Sequence, residues 1–536
     1  MNGTVAPWGR EIVVEQTGGV PYRVYEPRTR CVASLLDHAD RWAGRAHMVQ
    51  GDVRLDFGEL RGVVRRKAAQ LRHHGIGPGD KVALLGWNGP DWVVNVWATW
   101  WLGAIPVLAN SWWSTREVEH AFSLLQPRAV LADARLARKV PAGTPTAPWS
   151  TPTTVDGPLP QRATGDDEND PALILFTSGS TGFPKAVVLS HRSIISGLHA
   201  LLAVTKRLPQ DLGNAPASVA LHTAPLFHVG GVQTLVRGVV VGETLVFPEG
   251  RFEPHAAMDL IAAHGVTRWS AVPTMVSRLL DARAERPVRL GSLRSLTLGA
   301  APAHPTLYQR IRDELPSVEA RIATGYGLTE NGGQATAATG RDTRDRPGVC
   351  GIPLPTVEIS FGDRTADGDG EVLIRAASQM LGYFGEAAGP IDAEGWLHTG
   401  DLGHLDEDGY LWVTGRSKDL ILRGGENIAP LAVERALVGV DGVLDAAVLG
   451  LPHPDLGEEV TAVVVVDEAT ADRPDLDDYV AGALRPVLAS FAVPTRWRFQ
   501  TQALPVLGSE KVDKHMLAAE LTAGDTSIHS SATAGS

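Results

Sequence analysis

Between Pro171 and Ser190 the chain reads PALILFTSGSTGFPKAVVLS. Two continuous apolar runs, ALILF and AVVLS, bracket a polar stretch of hydroxyl residues, two glycines, a proline and a lysine. Such runs belong to buried strands, so the polar stretch joins strand to strand. A phosphate loop of the strand–GxxxxGK[ST]–helix kind is excluded, because the spacing differs and no helix follows. The composition still suits phosphate. Gly179 and Gly182 let backbone N–H groups point inward, Ser178, Ser180 and Thr181 offer hydroxyls, and Lys185 offers a charge. A hairpin tip rich in Ser and Gly reads the same way on composition alone.

The 536 residues suggest about two to four domains. With 49 Lys and Arg against 61 Asp and Glu, the net charge is −12. A net acidic chain without a basic block is not a generic nucleic-acid binder. Cys31 and Cys350 stand far apart, which argues against a disulfide framework and fits a reducing, cytoplasmic setting. The first residues, MNGTVAPWGREIVVEQ, lack the pattern of a signal peptide. Trp92–Thr115 carries no charge but is interrupted by Asn95, Gly103, Pro106 and Asn110. It reads as an apolar helix, a turn and a buried strand rather than a membrane span. Its tryptophans belong to core or to a contact surface, and a homodimer through Trp92–Trp113 is one expectation they raise.

Strand and helix patterns alternate over residues 30–135 and again from ALILF to about residue 340, the signature of layered α/β units with parallel sheets. Residues 141–170, rich in Pro, Thr, Gly and Asp, read as a surface connection, partly mobile. From 345 to 415 short strands and Gly/Asp turns dominate, implying a small barrel or sheet. A last unit follows, with helices expected over PLAVERALV and LDDYVAGALRPVL, strands over DAAVLGL and TAVVVVD, and a final helix from Lys514. The fold class expected is α/β. The divisions are 1–415 as a large domain of two layered subdomains plus a small β-barrel, 416–418 as hinge, 419–522 as a small mobile α+β domain, and 523–536 as a disordered tail.

FTSGSTGFPK resembles the phosphate loop of the adenylate-forming superfamily, which holds acyl-CoA synthetases, peptide-synthetase adenylation domains and beetle luciferases. Further motifs follow in the family's order over residues 30–520. GYGLTE, Gly325–Glu330, resembles the adenine and metal motif: Tyr326 suits a purine face, Thr329 a phosphate and Glu330 a Mg²⁺ ion. By itself the hexapeptide also reads as a turn. LGAAPA, with Gly299, Ala300 and Ala301, resembles the segment on which a flat adenine or acyl chain lies. HTGDLG places Asp401 as acceptor for the ribose hydroxyls. Arg416 falls near ribose and phosphate, and Lys418 at the interdomain hinge. Arg423, Gly424 and Gly425, in RGGEN, resemble the face that meets the coenzyme A arm. APLFHVGG places His228 at the acid pocket, with Gly230 and Gly231 leaving room for a long chain. The resemblance implies ATP binding through Thr177, Ser178, Gly179, Ser180, Thr181, Gly182, Lys185, Gly299, Ala300, Ala301, Gly325, Tyr326, Gly327, Asp401 and Arg416.

After Leu504–Pro505 comes VLGSEKVDK, with Glu510 where the family usually shows Gly. Lys511 lies at the expected distance and is assigned as the catalytic lysine, with Lys514 as rival. The implied activity is that of an ATP- and Mg²⁺-dependent carboxylic acid–CoA ligase of fatty or related acyl chains, with Lys511, Glu330, Thr329 and His228 catalytic and Glu330 on the metal. The family rotates its small domain between half-reactions, exchanging the lysine for the RGGEN face. Two rivals stay open. One is a nucleotide-binding protein without ligase activity, which the presence of Lys511, Glu330 and Asp401 disfavours. The other is an adenylating enzyme whose acceptor is a carrier protein, an amine or another nucleophile.

Overall fold

The computed structural model describes residues 8–164, 167–177, 183–213, 216–299, 303, 305–364, 368–424, 426–507, 511–522 and 529–530. Ser178, Gly179, Ser180, Thr181, Gly182, Ala300, Ala301 and Gly425 lie outside these residues, as does nearly all of the tail. The chain divides into two units: Met1–Ala300, Leu307–Ser360 and Leu373–His398 form one, and Ala301–Thr306, Phe361–Val372 and Thr399–Ser536 the other.

The larger unit carries two large sheets and, among the described residues, two small two-stranded ones. One has seven strands in the order Gly382–Tyr383, Lys185–Ser190, Pro171–Thr177, Ile105–Leu108, Lys81–Leu85, Ala129–Ala132, Thr146–Ala147. Its last five strands run parallel. Their near-continuous apolar sequences are what burial on both sheet faces requires. At its other end, Pro171–Thr177 and Lys185–Ser190 pair antiparallel with Thr177 opposite Lys185, so the two apolar runs are the neighbouring strands that their sequences require. The second sheet has nine strands, with a parallel run from Ile322–Thr324 to Ala46–Gln50.

Helices between the strands start where their caps stand. Asp56 with Glu59 and Ser114 with Glu117 form capping boxes, and Pro90 opens the Pro90–Trp101 helix. From Trp92 to Trp101 every residue of that helix is buried, with apolar side chains on all its faces. Trp100 Nε1 donates to the Ala172 carbonyl at 2.6 Å and Trp101 Nε1 to that of Pro160 at 3.0 Å. Trp92, Trp97, Trp100, Trp101 and Trp113 are at most 6% exposed. These five rings are spent on the chain's own core rather than on a surface for a second copy, while Trp112 of the same run is half-buried. Among the described residues no helix is long and apolar enough to cross a membrane.

The connection after Ala129–Ala132 is held by the Pro90–Trp101 helix, through Asn95 on the Trp149 carbonyl and Trp101 on that of Pro160, and by a second helix. From Phe57–His73, Arg66 donates to the Pro152 carbonyl, Arg65 to those of Leu159 and Pro160, and Arg72 to that of Pro158. The buried Lys67 amino group, its pKa pulled by desolvation from 10.5 down to about 7, lies within hydrogen-bond distance of the carbonyls of Pro148, Trp149 and Ser150 and of Gln70 Oε1.

The β-rich stretch expected over 345–415 is a four-stranded sheet of Val357–Arg364, Gly370–Ala376, Leu397–Leu405 and Leu411–Arg416. In the smaller unit, Gly457–Val466 lies between Val443–His453 and Arg496–Gln500. Val460, Ala462 and Val464 join a core with Val433, Leu437, Val480, Leu484 and Trp497. Val463 and Val465 face the other way, against Leu504, Leu517 and Leu521. Alternation places successive side chains on opposite faces, so two buried faces explain the unbroken valines. Helices cover both: Pro430–Val438 and Leu476–Leu484 on one, Lys514–Thr522 on the other. The helix expected to reach Leu488 ends at Leu484, because Pro486 cannot continue it.

Candidate active site

In the larger unit the Lys185–Ser190 strand and the GYGLTE segment meet on one short strand. Gly382–Tyr383 pairs with Lys185–Ser190, Tyr383 opposite Val187. Lys185 Nζ contacts Glu386 Oε2 at 3.0 Å and stands 4.6 Å from the centre of the Tyr383 ring. Glu330 sits on a tight turn, Thr329–Asn331, and its Oε1 accepts the Tyr383 hydroxyl at 2.9 Å. The Met380 N–H donates to the Glu330 carbonyl at 2.8 Å. Burial, and then the Glu330 charge, push the Tyr383 phenol above its ordinary pKa, so it remains a donor.

Gly327–Leu328 pairs with Gly333–Gln334. A Cβ on Gly327 would lie 2.2 Å from the Gly333 carbonyl oxygen, and one on Gly325 would lie 2.4 Å from Gln334 Nε2. Only glycine fits such approaches. The half-buried Tyr326 is fixed by its N–H on Thr336 Oγ1 at 3.0 Å and by the Ala335 N–H on its carbonyl at 2.8 Å. Gly299 follows the Ser295–Leu298 strand and faces open space.

His228 precedes the Val229–Val241 helix, with the Phe227 ring 4.7 Å away. Asn88 fixes this segment, donating to the Ala224 carbonyl at 2.7 Å and accepting from the Leu226 N–H at 2.8 Å. Gly230 faces open space. Gly231 does not leave the room expected of it, since a Cβ there would lie 2.5 Å from Leu226 Cα.

In the smaller unit Asp401 and Arg416 face each other on paired strands, and Arg416 Nε contacts Asp401 Oδ1 at 2.6 Å. Asp401 is 3% exposed, so its carboxylate needs such a partner. The Asp401 N–H donates to Thr399 Oγ1 at 3.1 Å. Lys511 belongs to the same neighbourhood: desolvation and then the Arg416 charge pull its pKa below the ordinary lysine value, opposed by Asp401. The residue itself keeps exposed surface, so the shift reflects crowding by protein atoms and charge rather than sequestration. Leu507 N–H donates to the Lys511 carbonyl at 2.7 Å and Asp513 N–H to that of Pro505 at 2.8 Å, which ties the Leu504–Pro505 pair to Lys511. Lys514 is occupied elsewhere, 2.6 Å from Glu434 Oε1 and 3.1 Å from the Val448 carbonyl.

Lys418 is exposed on the turn Ser417–Asp419. Arg423 donates to the Phe491 carbonyl at 2.6 Å, and Gly424 turns the chain at φ 59°.

Sequence reasoning missed Tyr383, Glu386 and Asn88. The GYF of LGYFGE, an aromatic beside a glycine before an acidic residue, was the available signal for the first two.

Two family models match the chain: AMP-binding enzyme over residues 35–384 and AMP-binding enzyme C-terminal domain over residues 432–511. A feruloyl-CoA synthase of Amycolatopsis is 34% identical over 483 residues, 87% of this chain and 93% of that one. A 2-succinylbenzoate–CoA ligase of Bacillus licheniformis is 31% identical, covering 90% of this chain and all of that one. The o-succinylbenzoate CoA synthetase of Bacillus subtilis, solved with ATP and magnesium ion, is 27% identical with a TM-score of 0.73, covering 91% and 99% of the two chains. The chain belongs to the AMP-binding enzyme family, the adenylate-forming superfamily.

Proposed function

We propose that Lys511, Asp401 and Arg416 serve the adenylation of a carboxylic acid with an uncharged acyl body, and that Thr177, Lys185 and Glu330 serve the phosphates of ATP. The chain is an AMP-forming acid–CoA ligase that works through an acyl-adenylate. The observation that carries the residue roles is the choice between two lysines: Lys511 shares its surroundings with Asp401 and Arg416, whereas Lys514 is held by Glu434.

In the first half-reaction a carboxylate oxygen of the acid attacks the α-phosphorus of ATP in line, and pyrophosphate leaves. The step asks for positioning and charge neutralisation. Lys511 offsets the charge that builds between carboxylate and α-phosphate. Asp401 accepts from the ribose hydroxyls, Tyr326 lies along the adenine, Thr329 and Lys185 hold phosphate oxygens, and the segment of His228 forms a wall for the acyl group. Among the described residues no three His, Cys, Asp or Glu groups gather as a metal cage. A single carboxylate such as Glu330 fits Mg²⁺, which takes one or two carboxylates and completes its shell with phosphate and water. When bound with ATP, Mg²⁺ neutralises the leaving pyrophosphate. In the second half-reaction the coenzyme A thiol attacks the acyl carbonyl and AMP leaves, with Arg423 and Gly424 meeting the pantetheine arm.

Product analysis by mass spectrometry tests this reading. Purified protein with ATP, Mg²⁺ and pooled aryl and alkyl acids is expected to give acyl-CoA and AMP only when CoA is present. Acyl-AMP accumulating without thioester in the presence of CoA would move the acceptor to a carrier protein or an amine.

A further inference from the structure

Tyr383 touches both charged groups assigned to ATP in the larger unit. Its hydroxyl donates to Glu330 Oε1 at 2.9 Å, and its ring lies 4.6 Å from Lys185 Nζ. Glu386, three residues on, pairs with the same ammonium at 3.0 Å. We propose that Tyr383 is a positioning residue that couples the metal-side carboxylate to the phosphate-side cation, and that Glu386 holds Lys185 until nucleotide displaces it. This rests on the reading of Glu330 and Lys185 as metal and phosphate groups.

The backbone supports the coupling from three sides. The Leu381 and Phe384 N–H groups donate to the Val188 and Ala186 carbonyls at 2.8 Å, and the Met380 N–H donates to the Glu330 carbonyl at 2.8 Å. The segment is thus anchored at once to the strand that begins with Lys185 and to the turn that bears Glu330. A group that hydrogen-bonds a ligating carboxylate fixes its orientation. The phenol is suited to that task, since a tyrosine hydroxyl keeps its proton, and so remains a donor, at neutral pH. The Lys185–Glu386 pair is partly open to solvent, 29% and 40% exposed. Ion pairs of that exposure are weak, so phosphate oxygens can take Lys185 from Glu386.

The test is calorimetric titration with a non-hydrolysable ATP analogue, with and without Mg²⁺. The proteins are wild type, Glu330→Gln, Tyr383→Phe and Glu386→Gln, each checked for folding by circular dichroism. Glu330→Gln is expected to lose the tightening that Mg²⁺ gives. Tyr383→Phe, which keeps the ring, is expected to lose about tenfold of that tightening while its metal-free affinity stays unchanged. Glu386→Gln is expected to bind the metal-free analogue a few-fold more tightly. Tyr383→Phe equal to wild type, or weakened alike with and without metal, overturns the coupling while the Glu330 reading stands. Glu386→Gln equal to wild type overturns the holding role. Glu330→Gln equal to wild type overturns the underlying reading itself.

Discussion

Four buried histidines make the fold sensitive to acid. His38, His47, His199 and His222 are each at most 4% exposed, and desolvation lowers each from 6.5 to about 4. Between those values the unfolded chain binds protons that the folded chain refuses. Their stabilisation is therefore complete above pH 6.5 and is lost as pH falls toward 4; at pH 5 each forfeits about 2 kcal/mol. Asp445 runs the other way. Burial raises it from 3.8 to about 6, so the folded chain holds a proton that the unfolded chain releases, and stability is gained as pH falls through that window. The histidines all belong to the larger unit and Asp445 to the smaller. Hydrogen-exchange mass spectrometry at about pH 7.5 and about pH 5, corrected for intrinsic rates, is expected to show protection falling in the core strands of the larger unit and not in Gly457–Val466. Equal loss in both would contradict the assignment. Of the candidate site, the charged ends were legible in the motifs: Lys511, Asp401 and Glu330 were all named from sequence. Tyr383 was not, because its role comes from a two-residue strand pairing about 200 positions back along the chain, and no local pattern encodes that.

At the scale of elements, the helix Phe57–His73 and the connection it helps to hold form one device. Lys67 is 0% exposed and surrounded by acceptors. Lys67→Met keeps much of the stem volume but strips the Pro148, Trp149 and Ser150 carbonyls of a shared donor. The expected cost is about 2 to 3 kcal/mol, read as a lowered Tm together with new proteolytic cuts between residues 141 and 170. An unchanged cleavage pattern would show that the connection is held by other means. Composition made this stretch look like a surface loop, and a lysine on a helix ordinarily reads as solvated. The partners that bury it are backbone carbonyls 81 to 83 residues away, invisible to any window of sequence. The Pro430–Val438 helix was legible because a proline opens it. The end at Leu484 was carried by Pro486 and overlooked.

For the whole molecule, motif order announced the family and strand–helix alternation announced the layered sheets, because each parallel strand must be buried on both faces and shows it in sequence. The fate of the Trp92–Trp113 run was less legible, since apolar rings suit a core and an interface equally until packing is known. If Lys511 serves only the adenylation half-reaction, Lys511→Ala separates the two half-reactions. Adenylation is measured by the appearance of pyrophosphate and acyl-AMP, and thioester formation is measured separately from supplied acyl-adenylate and CoA. Adenylation is expected to fall by at least about a thousandfold, the scale of a lost electrostatic stabiliser of the transition state, with thioester formation within a few-fold of wild type. Equal loss of both half-reactions, or adenylation that survives in Lys511→Ala and fails in Lys514→Ala, would contradict that role for Lys511.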